Sequence, residues 1–185
     1  SVQRKPDPID GRFITIGGIF GDLRIGCVQC HGINGQGDTS GAFPRLAGQG
    51  SWYLYKSLRD YAGGVRRSDI MEPIARQLSD SKMQNVAAYY ASLAEVAPVV
   101  VRRPDIEIAQ VGGSIAAVGI PEQGVPACES CHARTADRRD ATVPSLDGQY
   151  ANYLDHQLTL WRGGRRGGDP MNVMELALAM LRFDE

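Results

Sequence analysis

Two short stretches carry the residues best suited to chemistry. Cys27-Val-Gln-Cys30-His31 recurs as Cys128-Glu-Ser-Cys131-His132 at an offset of 101, and together they hold all four cysteines and two of the three histidines. Two thiols three positions apart can reach the two vinyl groups of one porphyrin and form thioethers. The histidine that follows is then held over the macrocycle, where an imidazole nitrogen can bind iron. Cys27, Cys30, Cys128 and Cys131 are therefore expected to anchor two covalent haem c groups, with His31 and His132 as axial iron ligands. Three other uses of these residues fit less well. Zinc ribbons space their cysteine pairs by ~15–20 residues, whereas 97 residues separate Cys30 from Cys128. A redox dithiol wants a βαβ setting, and simple disulfides would not require a histidine after both pairs.

Each iron needs a sixth ligand, and a His–Met pair raises the potential and closes the iron to exogenous ligands. In the first copy Met71 stands just before Pro73, a favourable first-turn residue for a short helix with Ile74 and Leu78. Met83 lies on the apolar side of the next helix, where a core role is expected, so Met71 is the predicted ligand. In the second copy an unbroken offset of 100 places Met171 opposite Met71. A three-residue insertion within 163–169 places Met174 there instead, and also aligns Glu72 with Glu175 and Leu78 with Leu181. Met174 is the predicted ligand, with Met171 the competing register. Pro44 and Pro144 follow their histidines by 13 and 12 residues. A carbonyl at that spacing can accept the second ring N–H of the histidine and fix its orientation, though an ordinary loop proline would look the same. His156, aligned with Lys56, is expected at the surface.

The elements that must position these groups repeat as well. Pro44-Arg-Leu-Ala-Gly-Gln49 returns as Pro144-Ser-Leu-Asp-Gly-Gln149, and Tyr53, Leu54, Leu58, Gly63 and Gly64 return as Tyr153, Leu154, Leu158, Gly163 and Gly164, at offset 100. The chain is thus read as two copies of one domain, 1–97 and 105–185, joined by a linker at 98–104 where Pro98 and Pro104 stop helices. Residues 1–12 read as a polar, proline-containing extension, either disordered or a docking arm. Ser51 is expected to cap a helix carrying Leu54, Leu58 and Tyr61, ended by Gly63-Gly64. Ser79-Asp80 opens a helix with Met83, Val86, Ala87, Tyr90 and Leu93 on one side. Ahead of each cysteine motif lie apolar segments, 13–25 and 106–118, with the glycine pairs Gly17-Gly18 and Gly112-Gly113. Such pairs weaken a helix, which suggests close approach by another one, with Tyr89 or Tyr90 packing there in the first copy. No alternating pattern argues for a sheet, so the fold is expected to be all-α.

With 20 basic and 21 acidic residues the net charge is −1, which gives no basic stripe for nucleic acid. No apolar run approaches the ~20 residues that span a bilayer, so the chain is read as soluble or as the soluble part of something larger. It starts at Ser1 with no export signal, as a processed protein would.

The CxxCH pairs, the P-x-L-x-G-Q segments and Met71-Glu-Pro-Ile-Ala-Arg-Gln-Leu-Ser-Asp followed by Ala87-Ala-Tyr-Tyr-Ala-Ser-Leu93 resemble the dihaem class I cytochromes c, closest to the cytochrome c4 type. The resemblance covers nearly the whole chain. It implies two tandem class I domains related by an approximate twofold, with the haems near the interdomain contact. It also implies a bacterial periplasmic carrier, soluble or peripherally held at the membrane. The Asp169-Pro170-x-Asn172-x-Met174 context is similar to the family's second domain. One departure is the short stretch after Met174, which leaves no counterpart of Ser79–Leu93 to cover Gly112-Gly113. Either the chain is truncated or another subunit covers that surface. The expected function is single-electron transfer from a respiratory or dehydrogenase donor to an oxidase or reductase, free or as a subunit of a larger complex. The redox partners would be proteins, including membrane-complex subunits. Arg162, Arg165 and Arg166 would border the second haem and meet its propionates or an acidic partner, or form an ordinary solvated turn. The alternative is a dihaem oxidoreductase of peroxidase or thiosulfate-dehydrogenase type, which would need one exchangeable axial site.

Overall fold

The computed structural model describes residues 5–18, 26–94, 104–133 and 143–181. Among them the regular structure is helical, with two isolated bridges, Arg66 to Arg166 and Ile120 to Val125, and no strand. The linker proposed at 98–104 falls almost wholly outside the described residues.

The first half is built on α1 (Pro8–Gly17), α2 (Val28–His31), α3 (Ser51–Ala62), α4 (Met71–Ala75) and α5 (Asp80–Ser92). Helix α1 opens with Pro8 in its first turn and Asp7 as its cap, whose carboxylate accepts from the Ile9 and Asp10 N–H groups. Residues 8–12, read from the sequence as part of an extension, are therefore helical. Helix α5 starts on the Ser79 hydroxyl, as its sequence suggested, which accepts the Lys82 N–H. Helix α3 starts one residue earlier than expected in capping terms. Gly50 is its cap, with no side-chain cap bond, and Ser51 is its first helical residue.

Helices α1 and α5 cross closely, and Gly11 makes the crossing possible. A Cβ there would lie 2.1 Å from the Asn85 carbonyl oxygen and 2.9 Å from the Tyr89 Cβ. Asn85 fixes the crossing by accepting the Asp7 N–H at 2.8 Å and donating to the Asp10 carboxylate at 2.6 Å. The expectation that Gly17-Gly18 would be the close approach is corrected. Nothing stands within 4 Å of a Cβ on Gly17, and Gly18, at φ 75°, ends the helix. Ile14, Leu54, Tyr55, Leu78, Met83, Val86, Ala87 and Tyr90 form the core on which α3 and α5 meet. Met83 is thus a core side chain.

The second half repeats the plan with α6 (Ile106–Val118), α7 (Glu129–His132), α8 (Ala151–Arg162) and α9 (Val173–Met180), plus short 3-10 turns at Pro121–Gln123 and Pro170–Asn172. Its core is much thinner. Val125, Tyr150 and Leu178 are its buried apolar residues among those described, and α6 buries none of its residues. Nothing lies within 4 Å of a Cβ on Gly112 or Gly113, so the predicted close approach to this pair has no counterpart among the described residues.

Candidate functional site

Each cysteine motif is one turn of helix entered directly from its first cysteine. Cys27 and Cys128 are the cap residues of α2 and α7, and their carbonyls accept the His31 and His132 N–H groups, both at 2.9 Å. This single turn holds both thiols and the imidazole in fixed register. None of the four cysteines is in a disulfide; Cys27 and Cys30 are half-buried and Cys128 and Cys131 exposed. Burial pushes the Cys27 thiol up to about 11, so it is held as neutral thiol. Among the described residues no three His, Cys, Asp or Glu side chains converge on a common point. The two pairs therefore do not form a four-thiolate zinc site.

Both imidazoles are oriented by a proline carbonyl. His31 Nδ1 lies 2.9 Å from the Pro44 oxygen and His132 Nδ1 lies 2.8 Å from the Pro144 oxygen. Since a carbonyl only accepts, Nδ1 carries the proton and Nε2 keeps its lone pair for a metal. Burial holds His31 below its ordinary pKa, against the opposing pull of the Pro44 bond, so the ring is neutral, the form that ligates. The loop that brings Pro44 back to His31 turns at Gly37, at φ 74°. The Gly37 N–H bonds the His31 carbonyl at 2.8 Å, and the Asp38 N–H bonds the Phe43 carbonyl at 2.9 Å. A Cβ on Gly37 would sit 2.5 Å from that Phe43 oxygen.

The methionines fall into distinct settings. Met71 is half-buried at the start of α4, its N–H held by the Ser68 hydroxyl at 3.1 Å. Glu72 braces that turn by accepting the Ser68 N–H at 2.9 Å and by pairing with Arg67 and Arg76 at 3.0 Å each. Met174 is likewise half-buried in the first turn of α9, its N–H held by the Asp169 carboxylate at 2.7 Å. Met171 is 85% exposed at φ 58°. His156 is exposed on α8.

The residues least visible in the sequence lie where the two halves meet. Gln149 accepts the Arg45 N–H and donates to the Arg45 carbonyl, both at 3.0 Å. Gln49 does the same to Ser145, accepting its N–H at 3.0 Å and donating to its carbonyl at 2.9 Å. Arg45 and Ser145 are themselves 100 apart, as are the two glutamines, so this reciprocal exchange is an approximate twofold. Arg66 and Arg166 face each other beside it. Both are buried, at 4% and 8% exposure, and both donate to the Gln157 side-chain oxygen at 2.7 Å. Arg66 also donates to the Tyr153 hydroxyl at 2.8 Å, and Arg166 to the Tyr53 hydroxyl at 3.1 Å. Burial pushes the Tyr53 phenol up, but the two guanidinium groups outweigh it and bring Tyr53 down to about 8. Arg162 and Arg165 are exposed, in contrast to Arg166. The signal for the seam was present: Gly63-Gly64-Val65-Arg66 and Gly163-Gly164-Arg165-Arg166 obey the same offset as the glutamines.

A large prosthetic group with apolar faces and polar edges fits these halves. The second half lacks the apolar core its length calls for. Tyr90 Oη in the first half and Trp161 Nε1 in the second are buried without a hydrogen-bond partner, a costly state unless an absent group supplies the acceptor.

The profile of the cytochrome c family matches residues 19–94. The chain is 37% identical to cytochrome c4 of Thiocapsa roseopersicina over 86% of this chain and 81% of that protein. It is 38% identical to the thiosulfate dehydrogenase electron acceptor of Stutzerimonas stutzeri over 97% of this chain and 83% of that one. The crystal structure of reduced recombinant cytochrome c4 from Pseudomonas stutzeri superposes with a TM-score of 0.79 at 31% identity, covering 96% of this chain and 92% of the other. The thiosulfate dehydrogenase TsdBA of Marichromatium purpuratum superposes at 0.81 and 32% identity over 95% of this chain, which spans 37% of that longer one.

Proposed function

The chain belongs to the cytochrome c4 family, and from that premise we propose how its own residues carry electron transfer and for whom. It has the all-α, tandem class I cytochrome c fold and is a c-type electron-transfer protein with two covalently attached haem c groups. In our reading each half, 1–97 and 105–185, is one haem domain. Cys27 and Cys30 would hold one group and Cys128 and Cys131 the other, with His31 and Met71, and His132 and Met174, as the residues that would bind the two irons. The observation that carries this reading is the paired geometry at Pro44 and Pro144, where both imidazoles are locked with Nδ1 on a carbonyl and Nε2 left for iron.

When bound, the haem iron would supply one-electron chemistry. The protein supplies the rest. The proline carbonyls fix ring orientation and strengthen the imidazole as a donor. Ser68 and Asp169 pin the backbone of the two methionines at helix starts, so each thioether is presented by a rigid turn. Met71 and Met174, as sixth ligands, would leave neither iron open to outside ligands and so exclude competing chemistry.

The relative named as a thiosulfate dehydrogenase electron acceptor supports a more specific assignment. This protein takes electrons singly from a thiosulfate-oxidising dehydrogenase in the bacterial periplasm and passes them to a terminal oxidase or reductase. Stopped-flow mixing tests it. The oxidised protein should be reduced at both haems by catalytic amounts of a thiosulfate dehydrogenase with thiosulfate, and not by thiosulfate alone. Reduction by thiosulfate without added enzyme would instead make the chain the catalyst. No reduction under either condition would remove the assigned donor.

A further inference from the structure

The loop that carries Met174 is fastened to the other half of the molecule. The chain from Arg166 to Met174 is three residues longer than that from Arg66 to Met71. Its first residues after Arg166, Gly167 and Gly168, both lie against the first half. The Gly167 N–H donates to the Val65 carbonyl at 3.2 Å, and the Lys56 ammonium donates to the Gly168 carbonyl. Gly168, at φ 87°, passes so close to the end of α3 that a Cβ there would lie 2.7 Å from an Asp60 carboxylate oxygen and 3.1 Å from the Val65 side chain. Asp60 also pairs with Lys56, one helical turn before it, and its carbonyl accepts the Val65 and Arg66 N–H groups at 2.9 and 3.1 Å. The surface that receives the loop is therefore itself well fixed.

We infer, resting on the reading of Met174 as the methionine of the second iron, that Lys56 of the first half is the positioning residue for that methionine. The Gly168 carbonyl that Lys56 holds belongs to the peptide unit leading into Asp169. The Asp169 carboxylate accepts the Met174 N–H at 2.7 Å, and its carbonyl accepts the Asn172 N–H at 3.2 Å. In between, Met171 and Asn172 adopt φ 58° and 54°, left-handed backbone that favours glycine. A turn of that kind persists only where its surroundings hold it. Asp169 closes this one, and Lys56 ties Asp169 to α3. The brace on Met71 comes from its own half, with Ser68 on its N–H and Glu72 held by Ser68, Arg67 and Arg76. His156, which aligns with Lys56, is exposed on α8. Among the described residues the methionine brace thus crosses the seam in one direction, from α3 to the second iron's ligand.

Imidazole competition on the oxidised holoprotein, followed by loss of the methionine–iron charge-transfer band, tests this. Lys56→Met removes the ammonium and keeps most of the side chain's length. Loss of a hydrogen bond from a charged donor should raise imidazole affinity about tenfold at one haem per chain and leave the other haem unchanged. Lys56→Arg, which keeps a cationic donor, should restore most of the difference. Gly168→Ala lifts the same loop off Asp60 with no change of charge. It should act at the same haem, and it serves if Lys56→Met fails to fold. A Met174→Ala background identifies that haem: its iron is already open there, so adding Lys56→Met should leave the remaining haem as it is in Met174→Ala alone. Equal shifts at both haems in Lys56→Met would make Lys56 a source of charge only and overturn the inference. Unchanged affinity in both Lys56→Met and Gly168→Ala would overturn it too. If Met174→Ala opens neither iron, the underlying ligand assignment fails. If it opens one and Lys56→Met still alters the other, only the positioning role fails.

Discussion

Gly11 and Gly112 stand 101 residues apart, the same offset as the cysteine pairs, yet substitution by alanine should have opposite effects. A Cβ on Gly11 would meet the Asn85 carbonyl oxygen at 2.1 Å and its carbon at 2.6 Å, where ordinary Cβ contacts begin at 3.4 Å. Both atoms are backbone of α5 and cannot rotate away. Helix α1 must therefore withdraw by roughly an ångström, loosening Ile14 and stretching the bonds from Asn85 to Asp7 and Asp10. Overpacking of this kind costs about 1–3 kcal/mol, offset by up to ~1 kcal/mol of better helix propensity. Because a 2.1 Å clash with fixed backbone puts the cost at the upper end of that range, Gly11→Ala should lose about 2 kcal/mol net in the first half. Gly112→Ala meets nothing within 4 Å and should be neutral or gain up to ~1 kcal/mol. Thermal and guanidinium unfolding of the holoprotein, followed by far-UV circular dichroism, separates the two. At about 4–8 °C per kcal/mol for a small domain, Gly11→Ala should lower the first transition by around 10 °C. The reasoning fails if Gly11→Ala melts with the parent. It also fails for α6 if Gly112→Ala loses as much, since that would mean its open face is covered in solution.

Two further outcomes are expected. Met174→Ala should lower the potential of one haem and open its iron to carbon monoxide, whereas Met171→Ala, at a solvent-exposed position, should leave both properties unchanged; visible spectra and a redox titration check the pair. Glu72 is held below the ordinary carboxylate range chiefly by the Ser68 N–H, and further by Arg67 and Arg76. A folded pKa below the unfolded one adds stability that is present above the ordinary value of 4.5 and is lost as pH falls through the folded value. Melting temperature should therefore drop on acidification below about pH 4.5, and Glu72→Gln should flatten that acid limb while lowering the plateau above it.

The helical character, the repeat and the motif turns were legible because each rests on local signals: covalent spacing, capping residues and apolar periodicity. Ser79 caps α5 as its type and position suggested. What escaped the sequence was tertiary. Gly17-Gly18 drew attention as a pair, but the crossing glycine is Gly11, and only the path of α5 decides which glycine a backbone meets. Ser51 looked like a cap because its type suits the role, yet the chain enters α3 one residue earlier. The seam was the largest omission. Gln49 and Gln149 stood out only as repeated residues and Arg166 only as a neighbour of the second haem, while Arg66 drew no reading; their partners across the seam lie 87–113 residues away. Periodicity carries no information about such pairs. Extending the offset-100 match of Gln49 and Gln149 to Arg66 and Arg166 singles out the second pair.

Two irons, each closed by a histidine and a methionine, are the centre of the proposed function. The most direct measurement is the visible spectrum of the purified holoprotein, oxidised and reduced, with and without carbon monoxide. Two low-spin haems per chain, a methionine–iron charge-transfer band of the strength expected for both sites, and no spectral change with carbon monoxide are predicted. A high-spin or carbon monoxide-binding fraction approaching one haem per chain would contradict it and make one of the irons a site for catalysis.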